Sequence, residues 1–203
     1  RITVYADRLL EGLETVDFSD SMKEMQRNWI GKSQGAEMEF AIKDNTQKLR
    51  VYTTRPDTIF GVDFMVVAPE HDLVAEITTT EQKEEIEKYL QYVKSRSDRE
   101  RQADVKQITG CFTGSYAINP FDGREIPIWI AEYVLAGYGT GAIMAVPCGA
   151  QRYFAFAKHL NIRITKIIGE HYNGEEANPA KGATLQHSNF LNGLLMKDAI
   201  SIA

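Results

Sequence analysis

Two stretches carry the residues best suited to chemistry. The first is Thr53-Thr54-Arg55-Pro56-Asp57-Thr58-Ile59-Phe60-Gly61. Its hydroxyls donate and accept hydrogen bonds without carrying charge. Pro56 forbids a regular helix through it and disfavours helical geometry at Arg55, so the stretch reads as a shaped bend. Arg55 and Asp57 are placed either to pair with each other or to meet a charged ligand. The second stretch is Gly137-Tyr138-Gly139-Thr140-Gly141-Ala142-Ile143-Met144-Ala145-Val146-Pro147. Its glycines reach positive φ or admit another backbone, and the apolar run behind them has strand character. Far apart in the chain, the two act together only if the fold joins them.

Other reactive side chains are fewer. Cys148 could serve as a thiol nucleophile with His159 or His71, but nothing in the sequence assures the cationic neighbour or helix N-terminus that would depress its pKa. A small loop residue is the plainer reading. The histidines (His71, His159, His171, His187) lack HExxH-like spacing, and Cys111 and Cys148 form no metal-ligand pattern, so no metal site is expected.

The elements that must position these groups are legible in the periodicity. Ala6, Leu9, Leu10 and Leu13 lie on one helix face, and Ser19-Asp20-Ser21 offers N-caps for a second helix reaching about Trp29. Ala36, Met38, Phe40 and Ile42 alternate with polar residues as in a half-buried strand, and Leu49 and Val51 begin the returning strand. The hydroxyl-rich bend thus sits where a hairpin ends. Residues 62–68 read as a buried strand, 73–77 as a helical turn, and 80–96 as an amphipathic helix carrying Ile86, Tyr89, Leu90 and Val93. The charge-dense 94–106 segment reads as a solvated face in preference to a phosphate contact. Strands are expected at 112–118 and 126–130 around an Asp122-Gly123 turn, at 142–146 and at 162–168. A helix is expected at 151–160 and turn-rich text at 169–188. Short strands in hairpins, with helices inserted and no regular βαβ alternation, predict an α+β fold: an antiparallel β-barrel-like core with peripheral helices.

Composition bounds the rest. With 203 residues, 43% of them hydrophobic, the chain can build one real core. It begins with Arg1, and both ends read as helical text, which suggests a segment cut from a longer polypeptide. No apolar run is long enough to span a bilayer and no signal peptide is present, so a soluble, cytoplasmic protein without membrane contact is expected. A net charge of −5 argues against a broad nucleic-acid-binding face.

The TTRPDT segment at 53–58 and the GTGAIMAVP segment at 139–147, supported by Met25 to Ser33, resemble the editing domain (connective polypeptide 1) of the leucyl-tRNA synthetases. The resemblance implies a barrel-like editing fold in residues 31–203 after a helical lead-in over 1–30. It implies hydrolysis of the ester of mischarged tRNA-Leu (norvaline, isoleucine), in a fragment of an ATP-dependent leucine–tRNA ligase. Thr53, Thr54 and Thr58 take the catalytic positions, with Thr58 the steric block against leucine. Arg55, Asp57, Tyr138, Met144, Val146 and Tyr153 take the substrate-binding ones, although core packing explains Met144 and Val146 equally well. No cofactor is expected in this domain, ATP and Mg belonging to the parent's synthetic site. The expected partners are the tRNA-Leu 3′ end and the rest of the synthetase chain, in a monomer.

One departure stands out. Where the family commonly carries His-Asp and then Arg-Asp after the Val-Pro pair, this chain reads Cys148-Gly149-Ala150-Gln151-Arg152-Tyr153. Gly149, Ala150 and Tyr153 replace the His, Asp and Asp, so crippled hydrolysis is expected, or a non-hydrolytic module that docks the tRNA 3′ end. Asp57 or Glu132 is left as a spatial substitute for the missing carboxylate.

Overall fold

The computed structural model describes residues 2–103, 108–137, 139–179 and 181–203. Two compact units divide the chain after Gln34. The first is helical: a 3₁₀ turn at Ile2–Tyr5, α1 at Ala6–Gly12 and α2 at Asp20–Ile30. Gly31 ends α2 with φ 64°, a left-handed geometry cheap only for glycine, and its N–H returns to the Arg27 carbonyl.

The second unit, 35–203, is built on a six-stranded sheet in the order β2-β1-β4-β5-β3-β6. β1 (Ala36–Ile42) and β2 (Lys48–Thr53) form the expected hairpin, with Phe40 opposite Leu49 and Met38 opposite Val51. Phe40, Ile42, Leu49 and Val51 go to the core, whereas Glu39, Lys48 and Arg50 pair at the surface. β4 (Cys111–Ile118) and β5 (Glu125–Ile130) form the second hairpin, and β3 (Phe64–Val67) and β6 (Ala142–Ala145) complete the sheet. Residues of β3 alternate between two apolar clusters: Met65 and Val67 join the main core, Phe64 and Val66 the outer cluster under α6 (Gln151–His159).

The pairings fix the direction of every strand. All neighbours are antiparallel except β3 and β5, which are parallel. The antiparallel barrel-like core expected is found, with this one parallel pair inside it. The pair is possible because the chain leaves β3 through α3 (Val74–Ile77), α4 (Lys83–Lys94), α5 (Asp98–Ala103) and β4 before β5 begins, ample length for a crossover. β2, β4 and β6 therefore run one way, and β1, β3 and β5 the other. The two edge strands, β2 and β6, lie close together, so the sheet curls into a nearly closed barrel.

Two expectations change. Residues 162–168 form no strand: Ile167 and Ile168 are buried like strand residues, but the backbone bonds are scattered, Ile162 N–H to Ala157 and Gln186 N–H to Ile167. The charged segment is not wholly solvated either. Arg101 is buried, donating to Glu70 at 2.6 Å and to the carbonyls of Glu132 and Val134 at 2.7 and 2.9 Å. Asp104 and Lys106 of that segment lie outside the described residues.

Candidate functional site

Because β2 and β6 point the same way, the bend following Thr53 and the Val146-Pro147 corner following Ala145 emerge at the same end of the barrel. The bend folds into a 3₁₀ turn, Pro56–Gly61, with every residue buried. Gly61 permits this: a Cβ there would stand 2.8 Å from Ile167 Cδ1 and 3.0 Å from Val146 Cγ1, so only glycine lets the bend seat on the corner. The β4–β5 turn closes the same end, Asn119 Nδ2 donating to the Ile59 carbonyl at 3.1 Å and Arg124 Nη2 to the Phe60 carbonyl at 2.8 Å.

Within the bend each polar group has a distinct state. Thr53 Oγ1 accepts the Arg55 N–H at 3.0 Å, and Thr58 Oγ1 donates to the Arg55 carbonyl at 2.8 Å, which holds its χ1 and hence its γ-methyl. Thr54 is exposed, and its hydroxyl makes no hydrogen bond among the described residues. Arg55 grips Asp57 with two bonds, Nε to Oδ1 at 2.9 Å and Nη2 to Oδ2 at 2.8 Å. Asp57 is fully buried, so its carboxylate serves Arg55 and is not offered to a ligand. Met196 Sδ lies 3.5 Å from the same guanidinium.

The second expected stretch is divided. Met144 pairs across from Met65 on the core face, and Val146 packs on the bend. The glycine turn that precedes β6 lies at the opposite end of the barrel, where the Gly141 carbonyl accepts the Ala68 N–H just beyond β3. Tyr138 lies outside the described residues. Tyr153 sits in α6 on the outer face of the sheet, its ring edge-on to Phe64 at 6.4 Å, whereas Met144 faces the core. Ala150 is the N-cap of α6, with extended backbone (φ −144°, ψ 121°) and no side-chain cap, and Tyr153 stands three residues on, in the first turn. A carboxylate at either position would face the positive end of the helix dipole. None is there.

Among the described residues, the other buried acids are already engaged. Glu132 follows β5 and so lies at the far end of the barrel. It accepts Thr109 Oγ1 at 2.7 Å and Arg96 Nη1 at 3.3 Å, and cannot stand in for the missing carboxylate. Asp63, not among the candidates taken from the sequence, is buried beside the corner. Its backbone N–H donates to the Ala145 carbonyl, and its carboxylate accepts Thr165 Oγ1 at 2.6 Å and Thr165 N–H at 2.7 Å. Burial raises its pKa by more than those bonds and the Arg124 and Arg163 charges lower it. Its signal was a lone acid inside the apolar run 62–68. Cys148 is fully buried, and burial pushes its thiol up to about 11, the opposite of an activated nucleophile. Among the described residues no group of three His, Cys, Asp or Glu side chains is placed to hold a metal ion, and no helix is long and apolar enough to cross a membrane.

With this geometry in view, the comparison with known families decides the kinship. The family model described as the leucyl-tRNA synthetase editing domain matches residues 27–203. The chain belongs to that family. Leucine–tRNA ligases from Flavobacterium johnsoniae and Christiangramia forsetii are 54% and 52% identical to it, over 100% and 99% of its length. It spans only 22% and 21% of those two relatives. A leucyl-tRNA synthetase from Agrobacterium radiobacter, solved in a ternary complex with tRNA and LeuAMS, superposes with TM-score 0.68 at 31% identity, covering 87% of this chain and 21% of that one. The editing-domain family thus accounts for the nearly closed barrel and for the paired TTRPDT and GTGAIMAVP segments.

Proposed function

We propose that this chain is the post-transfer editing domain of a leucyl-tRNA synthetase, shaped to hydrolyse the ester of norvalyl- or isoleucyl-tRNA-Leu but weakened in that hydrolysis. The parent activity, ATP-dependent ligation of leucine to tRNA, belongs to the larger protein of which the relatives' lengths make this a fifth. Editing is needed because a hydrophobic pocket separates one methylene by only about 1–3 kcal/mol, for which aminoacyl-tRNA synthetases are the usual illustration. The exposed Thr54 hydroxyl is free to meet the substrate or the attacking water. The immobilised Thr58 methyl suits a block against leucine.

The observation that carries the weakening is the state of the carboxylates. Positions 149, 150 and 153 hold none, Asp57 is committed to Arg55, Asp63 to Thr165, and Glu132 lies at the other end. None of these leaves a free acid for a substrate ammonium. Loss of one partner from a buried ion pair costs about 3–5 kcal/mol, on the order of a hundred- to several-thousand-fold in rate. Deacylation of norvalyl-tRNA-Leu at a rate equal to that of an aspartate-bearing relative would refute the claim. If hydrolysis is detected at a reduced rate, Thr58→Ala is expected to let leucyl-tRNA-Leu be hydrolysed too, because the block is gone.

The absence of those carboxylates equally supports a second reading, a module that holds the tRNA 3′ end without hydrolysis. Binding of tRNA with no turnover above the uncatalysed rate would select it.

A further inference from the structure

Between Glu132 and Glu170 the chain contains no aspartate or glutamate, although the protein as a whole has 28 acids against 23 Lys and Arg. The same stretch carries Arg152, Lys158, Arg163 and Lys166, all exposed. Among the described residues none of the four lies within ion-pair distance of a carboxylate. An acidic protein thus carries a stretch of exposed cations with no acid in it, which whole-chain charge conceals.

Three of these cations lie over aromatic rings, Arg152 at 5.4 Å from the Tyr133 ring centroid, and the two lysines share one patch. Lys158 Nζ lies 5.4 Å above the Phe154 ring and Lys166 Nζ 5.6 Å above the Tyr172 ring. Phe154 and Tyr172 themselves pack edge to face at 6.2 Å. The lysines, one on α6 and one on the loop after it, thus stand on adjoining rings. Cation–π contact restrains a flexible side chain while leaving ammonium protons facing outward, so less freedom is lost when an anion arrives. Two restrained ammonium groups on adjoining rings, neither within ion-pair distance of a carboxylate among the described residues, fit a ligand with successive negative charges.

We propose that Lys158 and Lys166 form a docking surface for the phosphodiester backbone of a single-stranded RNA segment, the stretch leading to the tRNA 3′ end. This rests on the editing-domain reading, and charge complementarity and the tRNA-bound structural relative favour RNA over an acidic protein. The absence of acids at 150 and 153, which leaves this stretch uniformly basic, strengthens retention where it weakens hydrolysis.

The test is fluorescence anisotropy of a labelled single-stranded RNA with the 203-residue chain across a salt series. Each phosphate neutralised contributes about 0.7 to the slope of log K against log salt for single strands. Lys158→Gln and Lys166→Gln should each reduce the slope by about 0.7 and the double variant by about 1.4. Lys→Arg at both sites should retain it, and circular dichroism should show all variants folded. An unchanged slope in the double variant, or no binding by the parent chain, overturns the proposal. So does equal affinity for a polyglutamate peptide, which would assign the surface to a protein. A deacylation assay on the same variants reports separately on the editing reading: ester hydrolysis with an unchanged RNA slope would sink only the docking surface.

Discussion

The Arg55 guanidinium and the Asp57 carboxylate form a two-bond clasp across the buried bend, with the arginine side chain 25% exposed and the aspartate 0%. The asymmetry sets the order of two substitutions. Arg55→Ala strands a charge with no access to water, and removing one partner of a buried pair costs about 3–5 kcal/mol. Asp57→Ala leaves a guanidinium that can rehydrate, and should cost clearly less. Urea denaturation of both variants checks the order; equal losses would mean the clasp contributes through packing alone.

Asp63 makes stability depend on pH in a defined direction. Its pKa is raised in the folded state above the ordinary 3.8, so between the unfolded and folded values the native state binds the extra proton. Its contribution is complete below the unfolded value and is lost as pH rises through the folded one. The stability of the parent chain relative to Asp63→Asn should therefore fall as pH rises from about 4. A difference that stays flat over pH 4–7, measured by chemical denaturation, would show that Asp63 is not shifted as inferred.

At the start of α6 two substitutions should act oppositely on stability. Ala150→Asp supplies an N-cap where none exists and should stabilise by about 1 kcal/mol, a rise in melting temperature of about 3 °C for a chain of this size. Tyr153→Asp removes a ring packed on Phe64 and should destabilise by about 3 kcal/mol. Combined, they should raise norvalyl-tRNA-Leu deacylation in the folded fraction if the missing carboxylates limit the rate. No rise in a variant shown to be folded would place the defect elsewhere.

Cys148 should resist alkylation. Its thiol is inaccessible and is pushed up to about 11, so iodoacetamide should modify it only as fast as the protein opens. Rapid modification of the native protein at pH 7 would contradict its burial.

Much of the architecture was legible because the evidence for it is local. The β1–β2 and β4–β5 hairpins declare themselves through alternation around short turns, and α4 through Ile86, Tyr89, Leu90 and Val93 at helical spacing. The 162–168 stretch has strand-like composition yet forms no ladder, because Asp63 and Gln186 take up backbone donors and acceptors there. Arg101 looked like one more surface charge because its partners, Glu70 and the carbonyls of Glu132 and Val134, lie 31 to 33 residues away.

By itself, the order of residues determined the hydroxyl-rich bend, the apolar strand at 142–145, and the absence of carboxylates at 149, 150 and 153. These are matters of residue identity and short-range geometry. Tertiary structure alone decided that Arg55 spends its charge on Asp57, that the glycine turn lies at the far end of β6 from the bend, and that Tyr153 packs outside the sheet while Met144 faces in. The reason is physical: which end of a barrel a loop occupies follows from strand directions, and the parallel β3–β5 pair that sets those directions joins segments separated by three helices and a hairpin strand, a distance over which no periodicity carries information.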